Sequence, residues 1–73
     1  MLRKLFGDRI RFLREQQGLT QEKLAELADI PDSGTLRRWE KGKEVPKFDR
    51  LEALARALNV KVRDLFNFGD SEI

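Results

Sequence analysis

Apolar residues recur along the chain at intervals of three and four rather than two, so the pattern reads as helices throughout, with no strand and no repeat. Leu5, Phe6, Ile10 and Leu13 keep helical spacing, and Gly18 follows as a stop signal. A second helix is predicted to start at Thr20, a good N-cap, and to run through Leu24, Ala25 and Ala28. Lys23 stands where a capping box would want Glu, so that cap is a single one. The turn-rich stretch from Asp29 to Gly34 separates this short helix from a third, expected at about Ser33 to Lys41 and ended by Gly42. Lys43 to Lys47 reads as a loop. A fourth helix, Phe48 to Leu58, carries Leu51, Leu54, Ala55 and Leu58 on one face, with Asn59 as a left-handed stop. Val62 to Phe66 forms a short fifth turn, and the tail from Asn67 to Ile73 is expected to fray.

Length and composition narrow what such a bundle can do. At 73 residues the chain has room for one modest core. Hydrophobic residues make up 40% and charged residues 38%, too apolar for a disordered tail and too polar for a membrane span. Met1-Leu2-Arg3-Lys4 leads into charge rather than an apolar signal region, so the expected compartment is the cytoplasm. There is no Cys and no His, which excludes disulfide scaffolds, Cys-based zinc sites, thiol nucleophiles and imidazole bases. The carboxylates and lysines are scattered among opposite charges. No enzyme, metal or cofactor is expected. A compact bundle of short helices instead exposes one of them, and two such helices around a short turn have the geometry of a helix-turn-helix.

The residues then carry a specific resemblance. Phe6 to Arg14, with Gly18-Leu19-Thr20-Gln21-Glu22-Lys23-Leu24-Ala25, resembles the phage-repressor/Cro-like (XRE) helix-turn-helix family. Leu36-Arg37-Arg38-Trp39-Glu40-Lys41-Gly42-Lys43 is similar to that family's third helix and the loop after it. Pro46, Leu51, Leu54-Ala55 and Leu58-Asn59-Val60 are similar to its fourth helix and the approach to the fifth. The likeness spans residues 5 to 66. It implies an all-α, five-helix, lambda-repressor-like DNA-binding domain over residues 1–66, followed by a short flexible tail, 67–73. It also implies a transcriptional regulator of the repressor type, working as a homodimer on double-stranded operator DNA with the third helix in the major groove.

On a helical wheel Leu36 and Trp39 define the inward face of helix 33–41, and Gly34, Arg37, Arg38 and Lys41 point the other way. Arg suits bidentate reading of guanine, and Ser33, Thr35, Arg37 and Arg38 are the expected base contacts. Between Arg37 and Lys47 the basic residues exceed the acidic ones by three, against a whole-chain net charge of +2 and a pI near 9.3. The resemblance places Gln21 on a phosphate at a helix N-terminus, where free N–H groups favour anions. Lys41, Lys43 and Lys47 would hold the backbone electrostatically. The resemblance also implies a structural ion pair between Arg14 and Glu40.

Three departures from the family pattern matter. The stretch from Ala28 to Trp39 is one residue longer than usual, so Asp32 or Ser33 must cap the third helix. Gly34 stands where a base-reading side chain is common, which predicts modest specificity. Lys61 replaces the usual Ser or Thr cap of the last helix, at a cost of ~1 kcal/mol. Phe12 and Leu27 are apolar where the family is polar, and these two, or else Phe66, Phe68 and Ile73 near the C-terminus, form a candidate self-association or partner surface. That feature supports an alternative function, a protein-interaction module of the same fold such as an antitoxin or coactivator-like domain. The basic stretch from Arg37 to Lys47 speaks against it.

Overall fold

The chain begins on a helix because Phe6, Ile10 and Leu13 put one apolar stripe on an otherwise charged segment. The computed structural model describes residues 2–68, and in it this helix, α1, spans Leu2–Gln16 with that stripe buried. Helix α2, Gln21–Leu27, starts where the Thr20 hydroxyl accepts the Lys23 N–H at 3.0 Å. Helix α3, Ser33–Glu40, is capped by Asp32, whose carboxylate accepts the Gly34 N–H at 3.0 Å. Helix α4, Phe48–Leu58, starts at Lys47 without a side-chain cap. Val62–Phe66 is a 3₁₀ turn rather than a fifth α-helix, so the described residues hold four α-helices and one 3₁₀ helix. Five residues are too few to sustain an α-helix on their own, and the tighter turn suits a short closing piece. Of the tail expected at 67–73, residues 69–73 lie outside the described residues.

All four α-helices stop in the same way. Gly18, Asp29, Gly42 and Asn59 each adopt a positive φ, between 58° and 78°. In each case the next residue donates its N–H back to a carbonyl five residues earlier: Leu19 to Arg14, Ile30 to Ala25, Lys43 to Arg38 and Val60 to Ala55. This is the Schellman arrangement, which satisfies orphan carbonyls and turns the chain sharply. In three of the four the returning residue is apolar, and Leu19, Ile30 and Val60 all pack on the core. The missing side-chain cap at Lys61 is offset from the other direction, because Asp64 Oδ2 accepts the Lys61 N–H at 2.9 Å.

One core joins every element: Phe6, Ile10 and Leu13 from α1, Leu24 and Ala25 from α2, Leu36 and Trp39 from α3, Leu54, Ala55 and Leu58 from α4, and Leu65 from the 3₁₀ turn. Trp39 is buried, so its ring packs and does not face solvent. Two glycines set how closely α1 crosses the end of α3. A Cβ on Gly7 would lie 2.6 Å from the Glu40 carbonyl oxygen, and one on Gly42 would lie 2.9 Å from Lys4 Cα. Both distances are below any real contact, so backbone meets backbone here. The C-terminal end of α3 is thereby fixed to the first helix while its opposite face stays open.

Candidate nucleic-acid interface

The open face of α3 is basic. Arg37, Arg38 and Lys41 are exposed, Ser33, Gly34 and Thr35 are half-buried at its first turn, and Lys43 and Lys47 are exposed in the loop beyond. Arg37, Lys41, Lys43 and Lys47 have no ion-pair partner among the described residues. Arg38 differs. Its Nε donates to Glu44 Oε2 at 3.0 Å and its Nη2 to the Thr35 hydroxyl at 3.2 Å. Two residues expected to read bases are therefore hydrogen-bonded to each other, and one is also paired with a carboxylate. Gly34 lies tight beneath its cap: a Cβ there would be 3.1 Å from Asp32 Oδ2, so the position that lacks a side chain is the one that seats the cap.

Behind that face lies a buried polar junction. Arg14 Nε donates to Glu40 Oε2 at 2.7 Å, and Arg14 Nη2 donates to Oε1 at 3.1 Å. Arg14 Nη1 donates to the Leu19 carbonyl at 2.8 Å. Glu40 Oε1 also accepts from Gln21 Nε2 at 3.1 Å. The side chains of Arg14 and Glu40 are only 11% and 4% exposed, so this is a buried pair in bidentate geometry. The hydrogen bond to Glu40 raises the Arg14 pKa above its already high ordinary value, against the opposing effect of burial. Three helices meet here: the last turn of α1, the first residue of α2 and the last residue of α3.

Gln21 thus spends one amide N–H inside the protein, a use the sequence did not signal. Its second N–H and its carbonyl remain for other partners. The pairing of Glu44 with Arg38 was equally hidden, since Glu44 read only as a subtraction from local charge. Its one clue is Gly42, which reverses the chain and brings the loop back over the helix.

The apolar residues divide into two surface features. Phe12 is 52% exposed and lines a groove of about 360 Å³ with Leu5, Asp8, Arg9, Asn67 and Phe68. Arg9 lies 5.5 Å above the Phe12 ring and donates to the Asp64 carbonyl at 2.9 Å. Leu27, 49% exposed on α2, is not part of this groove. Phe66 belongs to a second groove of about 410 Å³, formed with Leu2, Arg3, Phe6, Val45, Pro46 and Leu51. Its ring centroid lies 6.3 Å from that of Phe68. Ile73 lies outside the described residues. Among the described residues no cluster of His, Cys, Asp or Glu could hold a metal, and no helix is long and apolar enough to cross a membrane.

This arrangement has close counterparts. The family model described as "Helix-turn-helix" matches residues 10–65, from the middle of α1 through the 3₁₀ turn. The chain belongs to the XRE-type helix-turn-helix family. An uncharacterized HTH-type transcriptional regulator from Archaeoglobus fulgidus is 38% identical over 65 residues, covering 89% of this chain and 91% of that one. The crystal structure of the restriction-modification controller protein C.AhdI from Aeromonas hydrophila superposes with a TM-score of 0.84 at 36% identity, over 88% of this chain and 96% of its own. The clp gene regulator ClgR from Corynebacterium glutamicum gives 0.82 at 29% identity, over 89% of this chain and 68% of its own. The first of these relatives is named a transcriptional regulator, the second a controller protein and the third a gene regulator, and the family this chain joins is one of helix-turn-helix transcriptional regulators.

Proposed function

We propose that this chain is a sequence-specific, double-stranded DNA-binding regulator of the repressor type, laying α3 in the major groove. One observation carries the reading: α3 buries Leu36, Trp39 and Glu40 and turns Arg37, Arg38 and Lys41 to solvent, flanked by Lys43 and Lys47. Arg37 and Arg38, with Ser33 and Thr35, read base edges, and Lys41, Lys43 and Lys47 hold phosphates. Gln21 donates its remaining amide N–H to a phosphate while the other keeps it on Glu40. The Arg14–Glu40 pair acts as a strut that fixes the angle of α3 against α1. Residues 1–66 form the binding unit, two copies occupy a pseudo-palindrome with half-sites about one helical turn apart, and the protein works in the cytoplasm without a cofactor.

Selection of the 73-residue chain against a random duplex library tests this. The expected result is a motif of related half-sites, bound with an affinity that falls steeply with salt. Weak, motif-free binding would contradict it.

The exposed groove around Phe12 supports a second reading, a partner-binding module of the same fold. Binding to an apolar partner would be nearly insensitive to salt, which separates the two.

A further inference from the structure

We propose that Glu44, an acidic residue in a basic surface, is a specificity-determining residue that acts by clamping Arg38. This rests on the DNA-binding reading above. The loop after α3 reverses at Gly42, whose φ is 78°, and Lys43 donates its N–H to the Arg38 carbonyl at 3.0 Å. That anchored turn brings the Glu44 carboxylate back over the helix, 3.0 Å from Arg38 Nε. One turn earlier, the Thr35 hydroxyl takes a second guanidinium N–H at 3.2 Å. The guanidinium is therefore held from both sides.

A guanidinium has five N–H groups. Glu44 and Thr35 use one on Nε and one on Nη2, leaving both on Nη1 and one on Nη2 to donate outward. An unrestrained exposed Arg reaches phosphate oxygens on any sequence and so adds affinity without information. A clamped one donates only where acceptors are brought to it, as guanine O6 and N7 are in the major groove. The carboxylate also neutralises Arg38 toward the backbone. That weakens binding to a duplex that offers Arg38 only phosphate more than to one that offers it guanine, and specificity is that difference.

The pair is exposed, with the two side chains 46% and 50% accessible, so its removal leaves the fold intact. The experiment measures Kd for a selected duplex and for a random duplex, at several salt concentrations, for the wild type, Glu44→Gln, Arg38→Ala and the double variant. With Arg38 present, Glu44→Gln tightens random binding, steepens its salt slope by about one ion, and lowers the selectivity ratio by up to about five-fold. In the Arg38→Ala background Glu44→Gln leaves the ratio unchanged. If Glu44→Gln shifts both duplexes equally, or lowers the ratio as much without Arg38, Glu44 is only a surface charge and the clamp is wrong while the regulator reading stands. A wild type without preference between duplexes overturns both.

Discussion

Arg14 meets Glu40 through two hydrogen bonds, 2.7 and 3.1 Å long, at a point where α1, α2 and α3 converge. Both side chains are largely out of water, so each charge depends on the other. A bidentate pair fixes orientation as well as distance, which a single contact does not. Since Glu40 is the last residue of α3, the strut fixes the end of the helix that presents Arg37, Arg38 and Lys41.

Removing Arg14 leaves a buried carboxylate with only the Gln21 amide donating to it, and removing Glu40 leaves a buried guanidinium with the Leu19 carbonyl and the more distant Glu15, 3.9 Å away. Glu40→Ala and Arg14→Ala should each destabilise the fold by about 3 kcal/mol or more, and Gln21→Ala by about 1 kcal/mol. Arg14→Lys should fall between them, because an ammonium loses the fork. Urea denaturation of the four variants checks the order. Glu40→Ala no worse than Gln21→Ala would remove the strut.

Gly7 sits mid-helix, where Ala would ordinarily be better by about 1 kcal/mol. Here the added methyl would meet the backbone carbonyl of Glu40 at 2.6 Å. Gly7→Ala should therefore lower Tm, and the steric cost of about 1–3 kcal/mol should exceed the helix gain. A rise in Tm would mean that α1 can lift from α3 without loss.

Asp29 is the one acidic residue among the four left-handed helix stops, with φ of 58°. Glycine there carries no Cβ strain, and the local backbone bonds are unaffected, including the Asp29 carbonyl that accepts from Arg50 at 2.8 Å. Asp29→Gly should stabilise by up to about 1 kcal/mol, a Tm gain of about 4–8 °C for a domain this small. Differential scanning calorimetry reads it directly, and an unchanged or lower Tm would show that Asp29 bears no strain.

The helix punctuation was legible because it is local. Thr20, Gly18, Gly42 and Asn59 each act within a turn of themselves, and the sequence shows them as the structure does. Asp29 belongs to a stretch readable as a turn, but its handedness depends on Ile30 reaching the core. The inward phase of Leu36 and Trp39 followed from helical periodicity alone. What stayed hidden depends on tertiary approach: Gly7 against the α3 backbone, Gln21 on Glu40, and Glu44 folded back onto Arg38. The separation of Phe12 from the groove around Phe66 is of the same kind, since it depends on how α1 meets the 3₁₀ turn.

Lys41 extends from the C-terminal end of α3 with no ion-pair partner among the described residues. As a phosphate contact it should add affinity without selectivity. Lys41→Ala should weaken binding to every duplex by a similar factor and lower the salt slope by about 0.9. Fluorescence anisotropy at four salt concentrations measures both. A loss confined to one sequence would make Lys41 a base contact instead.

With α3 in the major groove, Arg38 reads guanine there. Methylation interference on a selected duplex tests it most directly, because a methyl on guanine N7 blocks the major-groove edge alone. Strong interference is expected at guanines in each half-site, with one of them losing its effect in Arg38→Ala. Binding unaffected by N7 methylation at any guanine, while still sensitive to salt, would contradict it.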